Sequence, residues 1–341
     1  MTDARARTGS AGIWLLAFGY FAAYAPYSAL TKALSGGKIG GTPLDGFAIL
    51  PMSALASTVL MAATLVGLRW LGYASSFSLF GLRIPRPGPL TFLSGLTSAA
   101  IILTTTLAYT FEGTSIVLMM VLLRGGVLVI APIVDLLTGR KVRWYSWVAL
   151  ALSIAALADM LPSARADMTL GAGIDVLVYV ASYFVRLRLM SKLAKTKDVA
   201  TNRKYFVEEQ LVASPAAVLA LGLWALLGWG HVAGALRDGF TGVPRGPLFG
   251  WVLLVGALSQ GTGLFGGLVL LDARESSFAV PVNRASSLLA GLVATTSLFL
   301  LGLAEAPSVY EMIGAGLVVG AVVVLAVGPS LSRPKPAVAG A

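Results

Sequence analysis

Long, uninterrupted apolar runs fill most of this chain. The segment TSIVLMMVLLRGGVLVIAPIVDLL at 114–137 is typical, and its length is close to the roughly 20 residues that an α-helix needs to cross a bilayer. A membrane β-barrel would instead show short segments in which polar residues alternate with apolar ones. Only 12% of the 341 residues are charged, against about 25% in soluble domains. The sequence therefore predicts an all-α membrane protein.

Ten transmembrane helices are predicted, at residues 12–33, 47–68, 90–111, 114–137, 142–161, 171–190, 206–228, 248–271, 276–301 and 309–328. The segment LGYASSFSLFGLRIPRPGP, between the second and third, is expected to be an interfacial loop because its prolines and arginines are unfavourable in hydrocarbon. The basic start MTDARARTGS leads straight into the first span, so we expect a retained helix rather than a cleaved signal peptide.

Lysine and arginine are concentrated in alternate connections, for example at Arg140, Lys141 and Arg143 ahead of the fifth span. By the positive-inside rule, both termini are then cytoplasmic, and the expected location is the cytoplasmic (inner) membrane. The formal charge of +10 fits loops beside an anionic leaflet of membrane lipid. No basic stretch with interleaved aromatic residues indicates a nucleic-acid partner.

The two halves of the chain share a pattern. The correspondences are Tyr20 with Tyr179, Tyr24 with Tyr183, and Arg124 with Arg284, at separations of 159, 159 and 160 positions. Because five spans per half is an odd number, the second half must lie inverted relative to the first. The prediction is two inverted five-helix repeats, residues 1–165 and 166–341, in one membrane domain. Secondary carriers are typically built in this way, with the binding site near the midplane between the repeats.

Arg124 and Arg284 are the strongest candidates for a functional site. Each lies near the middle of its span, roughly 12–15 Å from the helix end at 1.5 Å per residue. A charge at that depth costs roughly 2.5–3.5 kcal/mol unless it faces a partner or a wet cavity. Because a guanidinium group binds carboxylate or phosphate through paired donors, we predict an anion site in a shared cavity. Alternatively, each arginine caps carbonyls at a helix break or pairs with a buried acid.

Several other polar residues are candidates for substrate binding. Asn283 follows Pro281, where the sequence allows either a helix break that frees backbone groups or a simple kink. Arg186 is expected on the face of Tyr183, at the cytoplasmic mouth of the cavity, and Gln260 and Thr104–Thr106 are polar at depth. Hydroxyls that bond their own helix are the commoner case. Lys32 is expected at the outer edge of the first span.

The tyrosines of spans one and six form two pairs spaced by four residues, so each pair shares a helix face. They offer rings and hydroxyls to a solute, although tyrosines also serve as interfacial anchors. The predicted cavity-lining tyrosines are Tyr20, Tyr24, Tyr179 and Tyr183.

Proton coupling would need a carboxyl group that titrates within the membrane. Asp135, Asp175, Glu208 and Glu209 lie towards span ends, where solvation or ion pairs with neighbouring cations account for them. The sequence therefore favours exchange or facilitated diffusion. His231, the only histidine, falls in a predicted outer loop, so we expect no metal and no cofactor. No GxSxG, P-loop or HExxH motif occurs, and no enzyme activity is expected.

The run LMMVLLRGGVLVIAPIVDLLTGRKV, continuing into RWYSWVALALSIAALAD, resembles the EamA-like drug/metabolite transporter superfamily. Within it, the run is most similar to the nucleotide-sugar-transporter-like solute carrier 35 branch, with a weaker likeness at PVNRASSLLAGLVATTSLFLLG. The resemblance implies a ten-helix alternating-access carrier in which an arginine of span four and another of span nine recur. It does not identify the substrate.

The leading prediction is a secondary transporter of a small organic anion, a phosphorylated or nucleotide-linked metabolite, acting as a monomer or homodimer. One alternative is an exporter of neutral or zwitterionic metabolites such as amino acids, in which the arginines bind only a carboxylate or are structural. Another is a lipid-handling flippase or polyprenyl-phosphate transferase. An apolar lateral opening that leads to the arginines would favour this last alternative, whereas an enclosed, water-filled cavity would favour a carrier.

Overall fold

A computed structural model describes residues 2–79, 82–111, 114, 116–137, 144–167, 169–194, 196, 198–271 and 276–331. These residues form eleven α-helices: α1 Thr2–Ser35, α2 Gly46–Gly67, α3 Pro89–Leu107, α4 Ile116–Leu137, α5 Trp144–Asp167, α6 Leu170–Leu193, α7 Val199–Leu227, α8 Gly230–Thr241, α9 Phe249–Leu270, α10 Ser276–Leu300 and α11 Val309–Leu331. The predicted all-α class is confirmed.

Six of these helices are long and apolar enough to cross a membrane, namely α2, α3, α6, α7, α9 and the Gly12–Ser35 part of α1. Shorter apolar stretches lie in α4, α5, α10 and α11. Many large apolar side chains point outward, including Leu15 and Leu226, which are 72% and 80% exposed. Such a surface is unfavourable in water and favourable in lipid. The chain is therefore a helical membrane protein.

Local sequence explains several helix ends. Asp45 caps α2 by accepting a hydrogen bond from the Phe47 amide at 2.7 Å, and Thr169 accepts one from the Ala172 amide in α6. Asp198 caps α7 through the amides of Ala200 and Thr201. The Thr201 hydroxyl, together with these amides, holds the pKa of Asp198 below its usual value.

Two segments differ from the predicted loops. The connection between α2 and α3 contains a 3-10 turn at Trp70–Tyr73 and an antiparallel hairpin of β1 (Ser76–Leu79) and β2 (Leu82–Pro85). The region around His231, predicted as a loop, is the short helix α8. Val232, Leu236 and Phe240 of α8 recur every four residues and pack in one cluster with α2 and α7 side chains, which stabilises a helix in this position.

The long helices pack in pairs around the centre of the protein. The helix α1 packs against α9 and α10, while α6 packs against α3 and α4. Likewise α2 packs against α9, α7 against α3, and α5 against α11. Small residues allow the closest approaches, as expected where helices associate in lipid. A Cβ atom at Gly256 of α9 would overlap the Ser53 carbonyl oxygen of α2 and lie 2.7 Å from the Ala56 Cβ.

We expect Gly256→Ala to lower the melting temperature in detergent, because the added methyl group forces α2 and α9 apart. The control is Gly250→Ala in the same helix, where a Cβ would meet nothing within 4 Å. That change should leave the melting temperature unchanged or raise it, since alanine favours a helix over glycine by about 1 kcal/mol. Equal melting temperatures for the two variants would contradict the close α2–α9 contact.

Candidate functional site

A central cavity with a volume of about 70 Å³ lies among α1, α2, α3, α4, α6, α7, α9 and α10. Seven of the nine predicted binding residues line it: Tyr20, Tyr24, Arg124, Tyr183, Arg186, Gln260 and Asn283. The other two lie directly behind this lining, where Tyr179 contacts Arg124 and Arg284 contacts Tyr183. Residues far apart in the sequence thus meet around one space.

Arg124 of α4 is only 2% exposed, and tyrosine hydroxyls surround its guanidinium group. One terminal nitrogen donates to the Tyr179 hydroxyl of α6 and the other to the Tyr24 hydroxyl of α1. The guanidinium carbon also lies 5.1 Å from the centre of the Tyr24 ring and 5.6 Å from that of Tyr179. Its Nε has no hydrogen-bond partner among the residues that the structure describes. Within the described ranges no carboxylate pairs with Arg124, so its charge faces the cavity uncompensated.

Arg284 of α10 is fully buried, and its guanidinium carbon lies 4.7 Å from the centre of the Tyr183 ring. None of its three guanidinium nitrogens has a hydrogen-bond partner in the described structure. The helix runs unbroken from Ser276 to Leu300, so the helix break that the sequence allowed at Pro281 does not occur. Asn283, which precedes Arg284 in the chain, lines the cavity, and its Nδ2 lies 3.4 Å from the Gly266 carbonyl oxygen. Arg284 is therefore held mainly by an aromatic ring.

A tyrosine cluster extends from Arg124 to the end of α3. The Tyr24 and Tyr109 hydroxyls lie 2.7 Å apart, and Tyr109 donates to the Met120 Sδ at 3.3 Å. Because Tyr24 accepts from Arg124, one consistent set of donors runs from Arg124 through Tyr24 and Tyr109 to Met120. The Tyr27 hydroxyl bonds Thr106 Oγ1 at 2.8 Å. The cluster fixes the ring positions around Arg124.

Arg186 lines the cavity, but its charge is neutralised by the carboxylate of Glu209. Its Nε and Nη2 donate to the two carboxylate oxygens of Glu209 at 2.9 and 2.8 Å. Glu209 also accepts from the hydroxyls of Ser94, Ser98 and Tyr205. Of the solvation and the ion pair with a neighbouring cation that the sequence suggested for Glu209, the structure has the ion pair. Its depth differs from the expected span end, because α7 begins at Val199 rather than at residue 206 and carries Glu209 into the interior.

Glu208 is likewise buried, with the Lys204 ammonium 3.9 Å from its carboxylate, where the sequence suggested either solvation or an ion pair. Its carboxylate accepts from the amides of Ser75 and Gly88 and from the Thr91 hydroxyl, at 3.0, 3.1 and 2.7 Å. It therefore ties the connection between α2 and α3 to α7. A signal for both acids exists in the sequence, because Asp198 is a strong N-cap eleven residues before Glu209.

The remaining predicted polar groups have local roles. Gln260 of α9 lines the cavity with its Nε2 3.5 Å from the Met61 Sδ. Thr104 and Thr105 donate to carbonyls of their own helix, as the sequence suggested. Lys32 donates to the carbonyls of Phe111 and Thr114 and so ties α1 to the α3–α4 connection. The side chains of Asp135, Pro281 and His231 lie outside the described residues.

The charges around the cavity are unbalanced. Arg186 and Glu209 neutralise each other, whereas Arg124 and Arg284 have no acidic partner among the residues that the structure covers. An uncompensated buried cation is unfavourable unless an anion or water satisfies it. No group of three acidic, histidine or cysteine side chains in the described ranges could hold a metal ion. The site is therefore chemically suited to a small anion.

No protein-family model and no curated protein matches the sequence. Among solved structures, 17 chains match. One, described as "Crystal structure of protein", has a TM-score of 0.57 with this chain at 14% identity. The match covers 95% of this chain and 99% of that chain. At such low identity the likeness shows a shared fold alone, extending over almost the whole chain.

The Arg186–Glu209 pair predicts a non-additive effect on stability. Arg186→Met should destabilise the protein by about 3–5 kcal/mol, because it leaves Glu209 buried and unpaired. Adding Glu209→Gln to that variant removes the orphaned charge and should recover part of the loss. Chemical unfolding in detergent measures both changes, with Arg188→Met, at an exposed position on the same helix, as the control. No recovery in the double variant would contradict the ion pair.

Proposed function

We propose that this protein is a secondary transporter of a small organic anion, most specifically a phosphorylated or nucleotide-linked metabolite. The observation that carries the proposal is a pair of buried arginines without acidic partners among the described residues, of which Arg124 lines the cavity and Arg284 lies directly behind its Tyr183. A guanidinium group in a low-dielectric, partly hydrated cavity binds phosphate or carboxylate through charge-assisted hydrogen bonds. The same imbalance disfavours a cationic solute.

A ten-span architecture of two inverted repeats, 1–165 and 166–341, is part of this proposal. The proposed repeats pair α1 with α6, α2 with α7, α3 with α9, α4 with α10 and α5 with α11. Under this pairing, helix contacts of one half correspond to helix contacts of the other. Thus α1 on α9 and α10 corresponds to α6 on α3 and α4, and α2 on α9 to α7 on α3. This correspondence supports pseudo-twofold symmetry, which is common in secondary carriers.

Individual contacts repeat in the same way. A Cβ at Gly256 would meet Ser53, and one at Gly95 would meet Val212. The two glycines are 161 positions apart, and their two contact residues are 159 positions apart. The Arg284–Tyr183 stacking likewise corresponds to Arg124–Tyr24, at 4.7 and 5.1 Å from guanidinium carbon to ring centre. The separations match those read from the sequence.

The asymmetry between the two arginines suggests how such a carrier works. Arg124 lines the cavity and donates to two tyrosine hydroxyls, while Arg284 lies behind Tyr183 with no hydrogen bond in the described structure. In the proposed cycle, rocking of the two repeats exchanges these environments, so Arg284 faces the solute when the other side opens. In this cycle the arginine charges stay near the middle of the membrane, while the side from which the solute can reach them changes.

Family and location are included in the proposal. The helical membrane fold and the sequence around Arg124 in α4 support membership of the drug/metabolite transporter superfamily. The distribution of lysine and arginine supports a cytoplasmic membrane with both termini inside.

A thermal-shift screen tests the anion site. Purified protein is heated with UDP-glucose, glucose 6-phosphate, malate or glutamate, and we expect the phosphorylated compounds to stabilise it. Arg124→Gln and Arg284→Gln should each weaken binding about 10- to 100-fold, because a hydrogen bond to a charged group contributes about 1.5–3 kcal/mol. The control, Arg203→Gln, removes an arginine that stacks on Trp70 outside the cavity lining and should bind as the wild type does.

The screen has clear contrary outcomes. Equal stabilisation of the wild type and both cavity variants would reject the arginine site. Stabilisation by glutamate alone would replace the phosphorylated-metabolite proposal with an amino-acid carrier.

A further inference from the structure

Asp175 is a buried acid that the anion site does not use. It lies in the second turn of α6, is 5% exposed, and neither carboxyl oxygen has a hydrogen-bond partner in the described part of the chain. The other acids in the interior are treated differently. Glu209 accepts from Arg186 and three hydroxyls, and Glu208 accepts from two amides and a hydroxyl. The sequence-based expectation that solvation or an ion pair satisfies Asp175 is therefore wrong.

Asp175 occupies the helix face that carries the site. Residues spaced by three or four share a face of a helix, which places Asp175, Tyr179, Tyr183 and Arg186 in one row. Its neighbours in α6, Ala172 and Val176, belong to an apolar cluster with α3 and α4 side chains. Tyr27 of α1 is close enough to interact electrostatically with Asp175.

Among the described residues, no charged group forms an ion pair or a hydrogen bond with this carboxyl group. Titratable side chains on the surrounding elements include Tyr27, Lys32, Tyr109, Arg124 and Tyr179. Lys32 is engaged with the Phe111 and Thr114 carbonyls, Tyr109 with Tyr24 and Met120, and Tyr179 with Arg124. None of them is a hydrogen-bond partner of Asp175.

An ionised carboxylate in such surroundings is far more costly than a neutral acid, so the group takes up a proton instead. We propose that Asp175 is a proton-binding site and that the protein is a proton–anion symporter. This inference rests on the proposed transport of an anion and adds its energy source. The site suits a proton better than a metal ion. A metal ion needs several oxygen ligands, and the Asp175 oxygens have no hydrogen-bonding neighbour among the described residues to supply them.

The position of Asp175 explains how the two solutes would be coupled. It precedes Tyr179 by one helical turn, about 6 Å along the axis, and Tyr179 accepts a hydrogen bond from Arg124. A negative charge on Asp175, on the same face of α6, would repel a solute anion bound at Arg124. A protonated Asp175 removes this repulsion, so proton binding strengthens anion binding, and the reverse follows from linkage. The proton enters from water on one side and leaves to water on the other, with no covalent change.

Infrared spectroscopy of the purified protein tests the proton site without a substrate. A protonated carboxyl group has a C=O stretching band that a carboxylate lacks, and deuterium exchange shifts this band. We expect Asp175→Asn to lose a neutral-acid band present in the wild type at neutral pH. The control, Asp45→Asn, changes an exposed helix cap and should keep the band. Asp175→Glu should retain a shifted band, which guards against a folding defect in Asp175→Asn.

Uptake of radiolabelled glucose 6-phosphate into proteoliposomes tests the coupling. With the membrane potential held at zero and one proton carried per solute, an inward proton gradient of about one pH unit should drive about tenfold accumulation in the wild type, since each tenfold ratio corresponds to about 1.4 kcal/mol. Asp175→Asn should abolish accumulation above equilibrium while retaining exchange of labelled for unlabelled solute.

The outcomes separate the two proposals. An unchanged acid band in Asp175→Asn overturns the proton site, whatever the protein transports. Loss of the band with gradient-independent uptake overturns symport but leaves the anion carrier standing. Loss of the band in a protein that neither binds nor moves any anion of the panel supports the proton site and rejects the proposed function.

Discussion

The structure depends on keeping guanidinium groups charged in the middle of an apolar helical bundle. A buried acid can become neutral by gaining a proton, but arginine does not lose its proton in proteins. The surrounding side chains must therefore offset the cost of burying its charge. They do so with tyrosine. Rings from α1 and α6 contact Arg124 and Arg284 within 6 Å, and two hydroxyls accept hydrogen bonds from Arg124. Such contacts hold a cation without neutralising it, so its charge stays available to a solute.

The three central arginines are stabilised in different ways. Arg186 forms a bidentate ion pair with Glu209, which neutralises its charge. Arg124 is partly satisfied by hydroxyls and borders the cavity, and Arg284 rests on a ring with its nitrogens free in the described structure. One arginine is thus neutralised by an acid, and the other two keep their charge. In the proposed carrier, the paired arginine maintains the fold while the two unpaired ones exchange roles as the repeats rock.

Carboxyl groups show the same division. Glu208 and Glu209 are saturated with donors and join α7 to its neighbours, whereas Asp175 has none in the described structure. The saturated acids hold the bundle together, and breaking their contacts affects stability. In the proposed symporter, the acid on α6 changes its protonation state during the cycle, and it has no hydrogen bonds to described residues that this change would break.

Helical class and most helix positions could be predicted because hydrophobic periodicity is a local property. Every predicted span falls on a helix of the structure, although whether all ten cross the membrane as inverted repeats remains part of the proposal. Boundaries were less predictable. The early start of α7 placed Glu209 in the interior, and α8 formed where a loop was expected, since packing on α2 and α7 favours a helix that composition alone did not indicate.

The amino-acid sequence by itself determined that the chain is helical, belongs in a membrane, and carries arginines and paired tyrosines at repeated positions. Only the tertiary structure decided which of these groups meet. It placed Arg186 on Glu209, left Arg124 and Arg284 without acids in the described structure, and buried Asp175 without a partner. The physical reason is that burial and pairing of charge depend on neighbours from distant helices, whose rotation and depth the local pattern does not specify.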